Sequence, residues 1–405
     1  MGNSSFNNNS TLGGKALPIS LYAIFYSLHA LALSVPLNVW FIRIFYGLFW
    51  AMTIWFFVKV LLFENKSDFL RTLNFFILLV VVYGVIAIFT ETSFWASQSH
   101  LQPFTFIQVH IESLLPIYVF YYFGKNGILK TSWFSIMFIV FCFDAFFMYK
   151  FNTRVVLNAL QSADEGFINN VGYAFAALLP VVVFYDNKKV FQYIGIGIIV
   201  YFVLICVKRG ALLISLVGIL FFVYQSTRKS KKRNRIITML LGLGLSLAIY
   251  LLFSRIIESN EFFMMRYTDT LEGNSSGRDS IYSFFWSFFT SRENVPHLFL
   301  GNGAFATYRL HGIEAHNDWL EYAIDMGLLG IIAYAVLWVR IGKNYLYYSK
   351  NGNNQKILVA MGMVVLMNFV RSFISMSIDN LYFFSAAILG YTMAVTDSLR
   401  KGIQL

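Results

Sequence analysis

Apolar residues in this chain run in long unbroken blocks, and the short polar segments between the blocks carry most of the charge. A block of about 20 apolar residues crosses the hydrocarbon core as a helix, which satisfies its own backbone where no water can. The pattern predicts twelve such helices, near 17–34, 41–62, 70–90, 104–123, 131–149, 167–185, 190–207, 210–226, 235–254, 319–341, 357–374 and 380–397. The expected fold is an all-α polytopic membrane protein of about twelve transmembrane helices, with one long outer loop between helices 9 and 10. Residues 1–16 read as a disordered cytoplasmic tail, 17–254 as the first nine spans, 255–318 as the outer loop, 319–397 as the last three spans and 398–405 as a second cytoplasmic tail.

Composition agrees with the pattern. Hydrophobic residues make up 58% of the 405, charged residues 13%, and there are 44 Phe and 24 Tyr against six Pro. So few charges could not cover so much apolar surface in a soluble fold. The polar head of Asn, Ser and Gly is not a basic signal-peptide start, and Phe6 stands where the myristoylation pattern needs Ser or Thr.

The formal net charge of +11 matters through its distribution. Short loops rich in Lys and Arg resist translocation, and the run from Arg228 to Arg235, RKSKKRNR, is the strongest such signal. Counting alternately from it puts Lys66, Lys125, Lys130, Lys188, Lys343, Lys350 and Arg400 inside, with both termini cytoplasmic. The run is a topology determinant that touches anionic lipid, and nucleic acid is not an expected partner. Eleven basic residues are left outside, and nine of them are Arg. Guanidinium stays charged when poorly hydrated and grips two phosphate or carboxylate oxygens at once, so the skew points to an anion on the outer face. For Arg43 or Arg154 the ordinary alternative is a side chain snorkelling to headgroups.

Some chemistry is excluded. No GxxxxGK[ST] occurs, so a reaction outside would draw on an activated substrate or an ion gradient. Cys142 and Cys206 lie in apolar segments without metal-type spacing and read as small core residues. Neither a metal nor another cofactor is called for.

The outer loop is where function should concentrate. It carries SSGRDS around Arg278, with Gly277 permitting a tight turn, then an aromatic stretch from Ile281 to Phe289 that reads as an interfacial amphipathic helix. The turn Gly301-Asn302-Gly303 follows, and then His311 to Asp318. Asp318 with Glu321 resembles a capping box, which would start the tenth helix just after His316 and leave that histidine at an outward helix mouth. Lys208-Arg209-Gly210 interrupts two apolar runs too briefly for a loop, which puts Arg209 at the membrane surface or slightly within it. Such an Arg is functional by default, unless it pairs with a carboxylate such as Asp379 for structure alone.

Taken together, KRGALL at 208–213, SGRD at 276–279, GNG at 301–303 and AHNDWLE with MGLLG across 315–330 resemble the bacterial O-antigen ligase and O-antigen polymerase superfamily. The motif-bearing resemblance covers roughly 190–345; elsewhere the likeness is only that of a multi-helix scaffold. It implies a metal-independent glycosyltransferase of the lipid-dependent fold type in the bacterial cytoplasmic (inner) membrane, with its site facing the periplasm or cell exterior. The donor would be an undecaprenyl-diphosphate-linked oligosaccharide. The acceptor would be a growing glycan or lipid A-core, and a chain-length regulator is a further candidate partner.

The residues themselves suit compatible roles. Arg209 and Arg278 would stabilise the charge that grows on the leaving diphosphate, and His316 would be the general base for the attacking hydroxyl or would position the acceptor. Asn317 or Asp318 would orient the ring, unless Asp318 only caps the helix. His311 is the rival base, and Arg309 a further acceptor contact. An exporter of lipid-linked oligosaccharide would also be polytopic and basic, but its charges should follow a central path through related halves. Residues 255–316 carry a formal charge of −2, which suits a glycan acceptor and a polymerase better than a phosphorylated core and a ligase.

Overall fold

The computed structural model describes residues 12–34, 39–64, 67–90, 103–160, 171–185, 189–206, 208–228, scattered positions within 236–272, then 277–291, 295–378, 381 and 383–403. All regular structure among them is helical. In chain order the helices are α1 (Leu12–Ser34), α2 (Val39–Phe63), α3 (Asp68–Thr90), α4 (Pro103–Lys125), α5 (Thr131–Leu160), α6 (Gly172–Ala176), α7 (Leu179–Val182), α8 (Lys189–Ile205), α9 (Arg209–Arg228), α10 (Arg278–Thr290), α11 (Val295–Leu298), α12 (Ala306–His311), α13 (Asp318–Asn351), α14 (Gln355–Ile374) and α15 (Phe383–Arg400).

Among the described residues seven helices are long and apolar enough to cross a membrane, from α2, α3, α4, α5, α9, α13 and α14. Apolar side chains are also displayed outward: Phe63 and Phe89 are about three-quarters exposed, at 76% and 77%. Lipid tails, not water, are the natural neighbour of such faces. The chain is a multi-pass membrane protein.

The expected spans that fall on described residues map onto helices, and two of them differ from the expectation. The one expected over 167–185 is broken into the short α6 and α7, because Pro180 has no amide to continue the ladder. The one expected over 319–341 continues to Asn351 as the 34-residue α13. The span at 235–254, the RKSKKRNR run, the polar head and much of the outer loop lie mostly outside the described residues.

Helix α15 is enclosed by protein and pairs with α4 at close range. A Cβ on Gly390 would lie 2.3 Å from Ile117 O, and one on Gly124 would lie 3.1 Å from the Ala394 methyl, so glycine on each helix lets the two backbones approach. Cys206 is buried and Cys142 half-buried, and both are free. The helices have two polar ends: one gathers Glu64, Lys125, Tyr348, Asn354 and Asp397, and the other gathers Tyr173, Lys208, Arg278, His316 and Arg371.

Candidate functional site

The second of these ends is built on a break in α13. At Gly327 the backbone leaves helical geometry (φ 63°, ψ −154°), which frees the carbonyls of Ile324 and Asp325. The Gly301-Asn302-Gly303 turn takes both: Asn302 N–H donates to Ile324 O at 2.8 Å and Gly303 N–H to Asp325 O at 2.9 Å, while Leu329 N–H beyond the break donates to Phe299 O at 3.2 Å. A broken helix inside a membrane protein persists only when its backbone groups are re-satisfied in this way. The fit leaves no room for a side chain, since a Cβ on Gly301 would lie 2.4 Å from Asp325 O and one on Gly327 2.5 Å from Gly301 N. GNG and MGLLG, two separate motifs in the sequence, are therefore two halves of one joint. Arg309 braces it by donating to the Asn302 carbonyl.

Three carboxylates on α13 fasten the neighbouring segments. Asp325 accepts from Ala306 N–H at 2.8 Å. Glu321 accepts from the Thr307 hydroxyl and from Ala315 N–H at 2.8 Å. Asp318 accepts from the Tyr334 hydroxyl at 2.5 Å and from Ser377 and Ile378 N–H at 2.8 and 3.2 Å. This corrects the capping box. The N-cap is Asn317, whose Oδ1 accepts from Trp319 and Leu320 N–H at 2.9 and 3.2 Å. Asp318 and Glu321 instead hold chain segments, and the sequence pattern could not show this because Ser377 lies 59 residues away.

His316 sits between these anchors with φ 53°, a left-handed conformation uncommon for a residue with a side chain. Glu321 holds Ala315 on one side and Asn317 caps the helix on the other. The His316 carbonyl accepts from the Tyr282 hydroxyl at 3.2 Å. Asn317 Nδ2 reaches Phe373 O at 3.1 Å, tying the histidine turn to the end of α14. The ring is half-buried. Burial first, then the charges of Arg278 and Lys208, hold its pKa below the ordinary 6.5, so the imidazole is kept neutral.

Arg278 opens α10 behind Gly277 (φ 76°), and its Nη1 donates to Ile374 O at 2.6 Å. A cation is disfavoured at the start of its own helix but favoured at the C-terminal carbonyls of α14, which explains the direction it takes. Helix α10 is amphipathic as the aromatic stretch implied, with Ile281, Phe285 and Phe289 buried.

The other cations come from the residue before α9 and from α14. Lys208 Nζ lies 5.8 Å from the centre of the Tyr173 ring, and the Arg371 guanidinium lies 4.6 Å from the same ring. Arg371 is 3% exposed. The structure thus brings His316, Asn317 and Arg278 together and adds Lys208, Arg371, Tyr173 and Tyr282.

Arg209 is the half-buried first residue of α9, but the charge from this break that bears on His316 is its neighbour Lys208. His311 is exposed and packs edge-on against Phe284 at 4.7 Å. Arg309 has the bracing role already described. Arg255 is exposed, and Arg266, Arg292 and Asp379 lie outside the described residues. Arg371 carried a readable signal, a charge late in an apolar run; Tyr173 carried none, being one of 24 tyrosines. Among the described residues no three of His, Cys, Asp and Glu converge as metal ligands would.

No protein-family model matches this chain, and no curated protein matches it.

Proposed function

We propose that the protein is a membrane glycosyltransferase that polymerises undecaprenyl-diphosphate-linked repeat units of a cell-surface polysaccharide. The observation that carries this reading is the convergence of a neutral imidazole, set on a left-handed backbone turn, with Lys208, Arg278 and Arg371 at one end of the helices. A base and fixed cations side by side match what transfer from a lipid diphosphate demands. The acceptor hydroxyl attacks the anomeric carbon and gives its proton to His316, while the bond from that carbon to the diphosphate oxygen breaks. The negative charge gathering on the departing polyprenyl diphosphate is met by Arg278 and Lys208, which are in place beforehand. Burial and those same cations keep the imidazole able to accept the proton at neutral pH.

The accompanying topology has twelve spans, both termini in the cytoplasm of a bacterial inner membrane, and residues 255–318 outside. Under it the His316 end faces the periplasm or cell exterior, where a flipped lipid-linked glycan waits. Gathering of the special residues at one end favours a fixed enzyme site over an exporter. The mildly acidic 255–316 segment favours a glycan acceptor over lipid A-core.

Purified protein in lipid, supplied with an undecaprenyl-diphosphate-linked repeat unit, should lengthen the glycan and release undecaprenyl diphosphate. Release without lengthening, or transfer only to lipid A-core, would sink the polymerase reading.

A further inference from the structure

We infer that the first turn of α9 and the Tyr173 hydroxyl form a seat for one phosphoryl group of an anionic substrate, beside Arg278 and His316. The inference rests on the transferase reading for the identity of that substrate, but its geometry stands on the residues alone.

Tyr173 is 3% exposed, and its hydroxyl is buried with no hydrogen-bond partner. A buried unsatisfied phenol is costly, and phenylalanine would fill the same space and keep the same cation contacts without that cost. The hydroxyl is aimed at the start of α9: a Cβ on Gly210 would lie 2.0 Å from it. The two segments interlock a second time, since a Cβ on Gly172 would lie 3.1 to 3.4 Å from Cys206, Ala211 and Lys208. The phenol is thus held against that helix terminus by packing on either side of it.

Leu212 N–H donates to Lys208 O at 3.1 Å, so the amides of the turn before Leu212 lie ahead of the helical ladder. They face the direction in which the helix dipole favours negative charge, on a helix of 20 residues. Tyr173 lies close enough to Tyr282 to act on its charge, and Lys208 close enough to act on His316. Phenol, amides and ammonium are all able to donate, and the ligand that suits such a set is one that only accepts. A phosphoryl group offers three oxygens and negative charge. Carried on a diphosphate, it would leave the second phosphate toward Arg278 and the bond to be broken toward His316.

The test is pyrophosphate binding by the full chain purified in neutral detergent, measured by titration calorimetry. Tyr173→Phe should weaken pyrophosphate about tenfold, the loss of one hydrogen bond to a charged acceptor. The double variant Tyr173→Phe with Gly210→Ala fills the vacated space with a methyl. That methyl would still lie 3.0 Å from the ring carbon that carried the hydroxyl, so the double variant should fold less stably than Tyr173→Phe and bind no better. Wild-type affinity in either variant would reduce the hydroxyl to packing and overturn the seat. Should Tyr173→Phe not fold, Lys208→Gln must weaken pyrophosphate at least as much, and an unchanged affinity there overturns the seat equally. Dispersed phosphatidylglycerol competing as well as pyrophosphate would assign the site to bulk lipid headgroups and overturn a substrate seat. Pyrophosphate binding that depends on Tyr173, in a protein that transfers no glycan, would sink the transferase reading and leave the seat intact.

Discussion

The two polar ends of the helices use charge differently. At the Asn354 end, cations meet carboxylates: Lys125 pairs with Glu64, Arg340 with Asp68 at 3.1 Å, and Arg400 stands 3.9 Å from Asp397. Asp397, buried, also accepts from the Ser67 and Tyr121 hydroxyls. At the His316 end Arg278 reaches a backbone carbonyl, and Lys208 and Arg371 lie over an aromatic ring. Three carboxylates near that end, Asp318, Glu321 and Asp325, are turned onto backbone amides and hydroxyls. Charge paired with charge serves stability. Cations set beside an imidazole, with these three carboxylates engaged on amides and hydroxyls, favour an anion there.

If that contrast is functional, substitutions at the two ends should fail in different ways. The largest effect is expected from His316→Ala, which should cut glycan transfer about a hundredfold to ten-thousandfold while lipid-linked donor still binds. Near-normal product would remove the imidazole from the mechanism and make His311→Ala the next variant to assay. Gly301→Ala should be nearly as severe for another reason: the added methyl meets Asp325 O across the α13 joint, so the loss should appear as missing folded protein in the membrane fraction.

Arg278→Lys should lower turnover roughly tenfold or more at a normal protein level, because the ammonium lacks the guanidinium fork. Arg209→Lys should do less if Lys208 is the cation that serves the site. Equal losses would restore Arg209 to the clamp.

The pH profile sharpens the same point. With the His316 pKa below 6.5, protonation should end activity only on the acid side of that value. Arg278→Gln removes a charge that opposes the imidazolium, so the folded pKa rises and the acid limb moves toward higher pH. Burial still depresses the pKa, and the limb should stay below 6.5. A limb that does not move would separate Arg278 from His316. The smallest effect is expected at the opposite end, where Asp397→Asn should lower stability by about 1–3 kcal/mol while transfer by the folded fraction is unchanged. A turnover defect there would dissolve the contrast between the ends.

Hydropathy alone determined that this chain builds membrane-spanning helices, because a span is decided over about 20 consecutive residues that either face lipid or do not. The amphipathic α10 was legible for the same local reason, and so was the start of a helix within two residues of His316. What only the tertiary structure decided is which groups meet. Asn317 is the cap because Asp318 is claimed by amides on the turn after α14. GNG and MGLLG form one joint because a freed carbonyl must find a donor wherever the chain can supply one. Lys208, Arg371 and Tyr173 join His316 through packing of α6, α9 and α14, segments as far apart in sequence as 173 and 371. Hydrogen bonds and charges act over a few ångströms in space, whatever the separation along the chain, and a one-dimensional pattern holds no record of that distance.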